Sequence, residues 1–389
     1  MARNRSRLGF LFNHDELHQI GHTAPIIVEL LRSGWPGEIV VVSSSPAQTE
    51  QVRRIISVDD HRGLSFACSP PPRLATRLDR LFGKALPLER LGALVANRTL
   101  FQSLDALVVP ETTSAFLKTH LGLNDLKLIY LPHGAGDRAV GFRSVTRAFD
   151  FVLLPGEKVR DRMLENGLIQ SNNHAIIGYP KFDAVPTAEP QPVFDNGRPT
   201  VLYNPHFDPK LSSWYGMGKG VLDWFAGQSI FNLIVAPHVM LHRRRVHVSV
   251  EHRRIARVGD LARRYADVPH IHIDTGSQRS IDMSYTRQGD IYLGDASSQV
   301  YEFLTRPRPC LFLNSHGAEW REDPNYAHWH MGDVIDSVAD LPAALQRALA
   351  FPDAYAAEQA EAMRRTFAIN TRSSSGRAAE AIARFLDRI

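Results

Sequence analysis

The sequence has few cysteines and lacks long apolar runs, and each absence excludes a class of protein. Among 389 residues the only cysteines are Cys68 and Cys310, whose separation indicates neither a disulfide framework nor a thiolate zinc site. No apolar stretch approaches the length that crosses a bilayer, and the run from Leu8 to Phe12 is shorter than a secretory signal requires. The sequence therefore predicts a cytoplasmic protein.

The excess of positive charge is also small. The chain has 45 lysines and arginines against 41 acidic residues, a net charge of +4. This balance permits attraction to an anionic ligand or lipid surface without requiring it, and composition alone does not indicate nucleic-acid binding. The length is ample for two domains that each bury a core of their own.

Short β-branched and apolar runs alternate with longer amphipathic stretches, a pattern typical of parallel α/β domains. In the first half, strands are predicted at Leu8–Phe12, Glu38–Val42, Ala106–Val109, Lys127–Leu131, Phe151–Leu154 and His174–Ile177. In the second half they are predicted at Thr200–Tyr203, Phe231–Val235, Ile271–Ile273, Asp290–Leu293 and Cys310–Leu313, with helices near Val250–Tyr265, Gln299–Thr305 and Leu341–Ala350.

A proline-rich stretch without periodicity, residues 185–192, interrupts this alternation and marks a domain boundary. We expect an N-terminal Rossmann-like domain over 1–187, on the acceptor side, and a C-terminal Rossmann-like domain over 196–375 that binds a nucleotide donor. An amphipathic helix over 376–389 is expected to pack back on the first domain. The predicted fold class is α/β, with two doubly wound domains facing a central cleft.

Ligands of doubly wound sheets bind beyond the carboxyl ends of the strands, so the residues that follow each strand are informative. Asp295–Ser298 follows a predicted strand and opens a helix, where backbone N–H groups and the hydroxyls of Ser297 and Ser298 favour a diphosphate. Glu302, one turn later, is placed to accept hydrogen bonds from ribose hydroxyls. Helix capping by Asp295 and the two serines is the alternative interpretation.

Three histidines also follow predicted strands: His133, His206 and His238. An imidazole in such a position can act as a general base toward an acceptor hydroxyl, because its pKa lies near neutrality. A single loop histidine is more often structural, but three at equivalent positions favour a role in a site.

Two further groupings have open interpretations. His14, His18 and His22 fall at helical spacing and indicate either a metal or acceptor site or, with more weight, an ordinary helix face. The basic run from His242 to His247 could contact phosphate or an anionic membrane, or form a solvated surface.

With these residues in place, the second domain resembles the CDP-glycerol glycerophosphotransferase family of teichoic-acid and capsule polymerases and primases. Asp295–Ser298 followed by Glu302 is similar to the family's Asp-Tyr-Ser-Ser motif and its later acidic residue. Pro132–Gly134 is similar to its His-Gly motif, Gly178–Asp183 to its Gly-x-Pro-Arg-x-Asp segment, Tyr203–His206 to its Tyr-Ala-Pro-Thr segment, and Pro237-His238 to its His-Pro element in reversed order. The resemblance covers residues 125 to 350.

The sequence departs from the family's pattern at three places: Ala296 stands where the family has tyrosine, Lys181 where it has arginine, and His206 where it has threonine. The predicted fold does not depend on these three residues, whereas the choice of donor does.

The resemblance implies a GT-B arrangement and an enzyme that transfers glycerophosphate, or a related alditol phosphate, from a CDP-activated donor to a hydroxyl acceptor such as a lipid-linked glycan. It implies no metal and no cofactor, and peripheral contact with the inner face of the cell membrane. The implied catalytic residues are His133 and His238. The donor-binding residues are Gly134, Asn204, His206, Pro237, Asp295, Ser297, Ser298, Gln299 and Glu302, and the acceptor-side residues are Asp137, Lys181 and Asp183.

Two alternatives stay open at this point. The diphosphate site predicted at Asp295–Ser298 would also serve a GT-B glycosyltransferase or a nucleotide-sugar 2-epimerase that uses a UDP- or CMP-sugar. It would also serve a non-catalytic nucleotide-binding subunit of a polysaccharide assembly complex.

Overall fold

The polypeptide forms two units. In the computed structural model, residues 6–13, 17–56, 63–81, 87–132, 134, 137, 141–249 and 253–388 are described. Unit 1 comprises Met1–Ala184 and Arg364–Ile389, and unit 2 comprises Val185–Met363. The sequence analysis assigned 1–187 to the first domain and 196–375 to the second. In the structure the chain returns to unit 1 at Arg364, before the terminal helix begins.

Unit 1 is built on a seven-stranded parallel sheet with the order β3-β2-β1-β4-β5-β6-β7. Consecutive residues of its inner strands, such as Val40, Val41 and Val42, are all buried, because helices cover both faces of a parallel sheet. The strands are β1 Arg7–Phe12, β2 Glu38–Ser43, β3 Leu64–Cys68, β4 Ala106–Val109, β5 Lys127–Tyr130, β6 Phe151–Leu154 and β7 His174–Ile176.

The described residues of unit 1 that precede the boundary form eight helices, and short 3₁₀ segments lie at Leu17–His22, Thr113–Ala115 and Ser144–Ala148. The helices are α1 Ala24–Arg32, α2 Pro46–Ile56, α3 Arg73–Leu81, α4 Leu88–Ala96, α5 Arg98–Gln102, α6 Phe116–Thr119, α7 Glu157–Glu165 and α8 Pro180–Asp183.

Unit 2 has a six-stranded parallel sheet with the order β12-β9-β8-β13-β14-β15 and a separate two-stranded ribbon of β10 and β11. The strands are β8 Thr200–Asn204, β9 Asn232–Val235, β10 Val246–Ser249, β11 Arg254–Arg257, β12 Ile271–Ile273, β13 Ile291–Gly294, β14 Cys310–Leu313 and β15 Asp333–Ile335. The predicted pair of Rossmann-like parallel sheets is therefore confirmed.

The helices that follow the first strand of unit 2 are mostly short. They are α9 Ser213–Gly216, α10 Gly218–Ala226, α11 Leu261–Arg264, α12 Ser284–Gln288, α13 Val300–Phe303, α14 Leu341–Ala350 and α15 Ala356–Phe367, with 3₁₀ segments at Gln278–Ser280, Pro324–Met331 and Val338–Asp340. The last helix, α16 Ser374–Leu386, belongs to unit 1.

Helix α16 completes one face of the unit 1 core. Ala378 and Ile382 are fully buried in the cluster that includes Phe10 and Val41, and Phe385 stacks on Phe151 with ring centroids 4.7 Å apart. Helix α16 therefore packs on the unit 1 sheet, although it is distant in sequence from β1 and β2.

The start of α16 is fixed by hydrogen bonds to the segment after β7. The Ser375 N–H and hydroxyl donate to Asp183 at 2.6 and 2.7 Å, and the Tyr179 N–H donates to the Ser374 hydroxyl at 2.9 Å. Gly178 has φ +85°, and a Cβ there would lie 2.4 Å from the same Ser374 hydroxyl. Only glycine permits this close approach.

Two helices predicted in unit 2 differ from those observed. Residues 250–265 were predicted as one helix, but Arg254–Arg257 instead pairs antiparallel with Val246–Ser249, and Gly259 has a left-handed φ of +76° that a continuous helix cannot contain. The helix predicted over Gln299–Thr305 is the four-residue α13. Among the described residues, no helix is long and apolar enough to span a membrane.

Candidate functional site

The strand order of unit 2 reverses at β8, which lies between β9 and β13. Such a switch point leaves a crevice beyond the carboxyl ends of the strands, where ligands of doubly wound sheets bind. The loops that follow β8, β9 and β13 meet here. The His206 N–H donates to both carboxylate oxygens of Asp295 at 3.0 and 3.1 Å, and the His238 N–H donates to the Pro205 carbonyl at 3.0 Å.

The carboxylate of Asp295 joins the loops at this switch point by hydrogen bonds. Its side chain is fully buried, and besides the His206 N–H its carboxylate accepts the N–H of Ser213 at 2.7 Å and the Ser213 hydroxyl at 2.9 Å. The Ser213 oxygen is also 3.0 Å from the Tyr203 hydroxyl. A buried carboxylate requires such donors, and here they tie the β8 loop, α9 and the β13 loop to one point.

The two histidines of the crevice are held in one tautomer. The Nδ1 of His206 accepts the Asp208 N–H at 3.0 Å, and the Nδ1 of His238 accepts the Met240 N–H at 3.3 Å. Because a backbone N–H can only donate, each neutral imidazole carries its proton on Nε2. Both rings therefore present an Nε2–H donor.

These two rings lie next to each other. Their centroids are 5.5 Å apart, and Phe207 contacts both, at 4.5 Å from His206 and 4.8 Å from His238. His206 is buried and His238 is half-buried. The arrangement places two neutral hydrogen-bond donors side by side at the ends of adjacent strands, which is suited to oxygens of an anionic ligand.

The side-chain amide nitrogen and oxygen of Asn204, the last residue of β8, both bond to other protein groups. Its amide nitrogen donates to the Ala236 carbonyl and its amide oxygen accepts the Tyr292 hydroxyl at 3.1 Å. Burial, with the charges of Asp295 and Glu302 among the further causes, raises the pKa of Tyr292 well above its usual range. Tyr292 thus remains a neutral donor to Asn204. Pro237 is buried next to Ala236.

The Ser297 side chain closes a short turn directly before α13, whose own N-cap residue, Gln299, makes no side-chain capping bond. The Ser297 hydroxyl accepts the Gln299 N–H at 3.3 Å, while the Ser298 side chain is exposed and Gln299 is half-buried. Glu302 is 7% exposed. Because α13 has only four residues, its dipole is small, and the anion-binding strength expected from a longer helix is reduced.

In unit 1, the sequence-predicted residues after β5 are only partly described. His133 lies outside the described residues. Gly134 has a positive φ of +119°. Asp137 is buried and pairs with Lys158 at 2.8 Å; burial lowers the pKa of Lys158, and the Asp137 charge opposes this. Asp137 thus has a structural partner.

The remaining acceptor-side residues lie in the short helix α8. Lys181 is buried, and Asp183 accepts the hydrogen bonds from Ser375 that anchor α16.

Of the histidine grouping in the first loop, His14 and the side chain of His18 are outside the described residues. His22 is buried against Tyr179, with ring centroids 5.0 Å apart, as expected for a packed ring.

Sequence reasoning missed two polar residues between β1 and α1, at the switch point of the unit 1 sheet. Asn13 is 4% exposed and Thr23 is 1% exposed. Neither amide atom of Asn13 nor the Thr23 hydroxyl has a hydrogen-bond partner within the described residues, although Thr23 stands at the cap position of α1. Buried polar groups of this kind are uncommon unless a ligand or water completes them. A polar residue directly after β1 was the available signal.

The sequence reasoning also missed Ser213, whose N–H and hydroxyl donate hydrogen bonds to the Asp295 carboxylate. The Ser212 hydroxyl caps α9 by accepting the Trp214 N–H at 3.2 Å. A serine pair before Trp214 and Tyr215 is a helix-start signal that could have located this loop, but not its contact with Asp295.

Comparison with known proteins shows the fold. No protein-family model matches the sequence, and no curated protein matches it. A UDP-GlcNAc 2-epimerase from Neisseria meningitidis bound to UDP-GlcNAc is similar at 12% identity and TM-score 0.62, over 98% of this chain and 100% of that one. The Methanocaldococcus jannaschii enzyme in complex with UDP-GlcNAc and UDP is similar at 12% identity and TM-score 0.61, over 99% and 100%. The glycotransferase of kitacinnamycin is similar at 13% identity and TM-score 0.57, over 98% and 99%.

These findings correct the sequence-based assignment. The similar solved structures named above are UDP-GlcNAc 2-epimerases and a glycotransferase, so the assignment to the CDP-glycerol glycerophosphotransferases is wrong, as are the CDP-activated donor, the glycerophosphate transfer and the teichoic-acid role that depended on it. The cause is physical: motifs of two to six residues at strand ends reflect turn and capping chemistry that many doubly wound domains share.

We predict that Asp295→Ala destabilises unit 2 by roughly 3 kcal/mol or more, because it leaves three buried donors unsatisfied. Denaturant unfolding followed by tryptophan fluorescence measures the effect. The matched control is Asp282→Ala, a half-buried carboxylate of the same unit that accepts the Ser284 N–H. Unchanged stability of Asp295→Ala would contradict the anchoring role.

We predict that Thr23→Val raises the stability of the protein by about 1 kcal/mol, because the isosteric methyl replaces a buried hydroxyl without a protein partner. Thermal unfolding of the two proteins tests this. Thr286→Val is the control, since its hydroxyl donates to the Met283 carbonyl at 3.1 Å and the same change should destabilise. A loss of stability in Thr23→Val would show that the hydroxyl is satisfied.

Proposed function

We propose that the chain is a nucleotide-sugar enzyme that inverts C2 of a UDP-linked N-acetylhexosamine. The proposal is supported by the fold that it shares, over nearly the whole chain, with UDP-GlcNAc 2-epimerases. The observation that carries it is the pair of Nε2–H donors of His206 and His238 at the switch point of unit 2. They form the part of the molecule that we assign to the diphosphate.

The chemistry of the donors fits that ligand. When the bond between a sugar and its nucleoside diphosphate breaks, negative charge grows on the leaving phosphate oxygen. Fixed donors stabilise this charge better than water, because they need no reorganisation. His206 and His238 do so as neutral rings, so the crevice binds the anion without a buried counter-charge.

Inversion at C2 has a signature of its own. The C2 proton leaves to a base while the bond between C1 and the diphosphate oxygen breaks, which gives a C1–C2 double bond and the free nucleoside diphosphate. Addition of a proton to the opposite face of C2 and of the diphosphate to C1 then restores both bonds, with the new hydrogen drawn from exchangeable groups. In deuterium oxide the product therefore carries deuterium at C2. Glycosyl transfer, which the similar glycotransferase of kitacinnamycin favours as a second candidate, also breaks the anomeric bond but leaves the C2–H bond intact.

The first test is incubation of the protein with UDP-GlcNAc in deuterium oxide, followed by proton NMR. We expect loss of the C2 proton signal and appearance of the C2 epimer. Thermal-shift measurements with UDP, CMP and CDP-glycerol accompany it, and we expect stabilisation by UDP alone. Release of UDP without exchange at C2 would replace epimerisation by transfer or hydrolysis. Failure of any uridine nucleotide to bind would overturn the proposal.

The second test replaces each histidine. Asparagine keeps an acceptor near the position of Nδ1 and so retains the loop hydrogen bond, but it removes the Nε2–H donor. We expect His206→Asn and His238→Asn each to lower kcat/KM by roughly 100-fold with little change in thermal stability. Glutamine, whose amide nitrogen reaches toward the Nε2 position, should restore part of the activity.

The control is His330→Asn, because His330 is exposed and bonds only locally, to the Arg321 carbonyl at 3.0 Å. It should behave as the unaltered protein. If His206→Asn and His238→Asn lower thermal stability and leave kcat/KM unchanged, the two rings serve the fold and the assignment of the diphosphate is wrong.

A further inference from the structure

The ribbon of β10 and β11 exposes aliphatic side chains that the proposed function does not use. In its register Val248 lies opposite Ile255, and Val246 lies opposite Arg257. Val246, Val248 and Ile255 are 41%, 58% and 72% exposed. Because side chains alternate across a strand, these residues share the outer face of the ribbon.

The opposite face is fixed to unit 2. His247 and Ser249 are buried, and the His247 Nε2 bonds to the Leu241 carbonyl at 2.9 Å. The ring of His247 also contacts Phe207 at 5.9 Å between centroids. The ribbon therefore cannot turn its aliphatic face inward without breaking these contacts.

The ribbon and its flanks also carry the net positive charge of the chain. Residues 241–266 contain eight arginines and two acidic residues, whereas the other residues contain 37 basic and 39 acidic ones. Arg245, Arg253, Arg254 and Arg257 are exposed. Without this segment the chain would be slightly acidic.

We propose that the outer face of this ribbon binds an anionic lipid surface. Exposed aliphatic groups ringed by arginines match a headgroup layer, in which the aliphatic groups reach the acyl boundary and the guanidinium groups contact phosphate. The charge is spread over both strands and their flanks instead of forming a pocket, which suits a diffuse anionic surface. The surface is independent of the nucleotide-sugar proposal.

The observations favour lipid over single-stranded nucleic acid, which is also anionic. Sites for single strands combine basic groups with aromatic rings on which bases stack. Among the described residues of the ribbon, the outer face carries only aliphatic and guanidinium groups. RNA binding is therefore an outcome that the experiment must be able to detect.

The test is co-sedimentation of the full chain with phosphatidylcholine vesicles that contain either none or one third of phosphatidylglycerol. We expect binding to the anionic vesicles only, with a loss of affinity at high salt because exposed charges are screened. Arg257→Gln, which removes the arginine that lies opposite Val246 on the outer face, should weaken binding roughly 5-fold. Val248→Asp combined with Ile255→Asp should abolish it.

The matched control combines Ile230→Asp with Arg198→Gln, because Ile230 is 63% exposed and Arg198 is exposed in the same unit. It should bind as the unaltered chain. The arginine variant keeps the ribbon's aliphatic residues and the aspartate variant keeps its charges, so misfolding of one leaves the other informative. A single-stranded RNA is tested in parallel by the shift of its gel mobility. Equal binding to both kinds of vesicle, equal weakening in the control, or binding to the RNA without binding to vesicles would each overturn the proposal.

Discussion

The buried carboxylate of Asp295 is the constraint on which the unit 2 site depends. It draws together donors from His206 and Ser213, which lie 89 and 82 residues away in the sequence. Without it, the loop after β8 would lose the side-chain hydrogen bonds that join it to the loop after β13, and the backbone at His206 would lose its anchor. The energetic cost of burying one negative charge is thus offset by donors whose placement also orders the residues that meet the ligand.

Much of the fold follows from the sequence because the strands are buried on both faces. Runs such as Ala106–Val109 and Cys310–Leu313 are apolar throughout, and their bounds agree with those predicted. The ribbon was misread as a helix because its apolar residues also fit a helical period. Cross-strand pairing with Val246–Ser249 decides between the two, and such pairing is invisible in a local pattern.

The sequence indicated which strand-end loops of unit 2 come together, but not the contacts that join them. The rule that ligands bind beyond strand ends located His206, His238 and Asp295. The rule could not distinguish a residue available to a ligand from one whose side chain bonds to other protein groups. Asp295 and Asp183 are of the second kind, and their partners are distant in sequence. The tautomers of the two histidines depend on backbone N–H groups two residues later, and loop conformation alone sets these.

The return of α16 to unit 1 also has a consequence for biosynthesis. Ala378 and Ile382 belong to the same core as Phe10 and Val41, yet they are made after every residue of unit 2. During synthesis α1 and α2 can cover this side of the first sheet only in part until α16 is made, and unit 2 can complete its own core first. Completion of the unit 1 core therefore depends on residues that are made after unit 2, so unit 1 cannot reach its final packing before unit 2 has been synthesised.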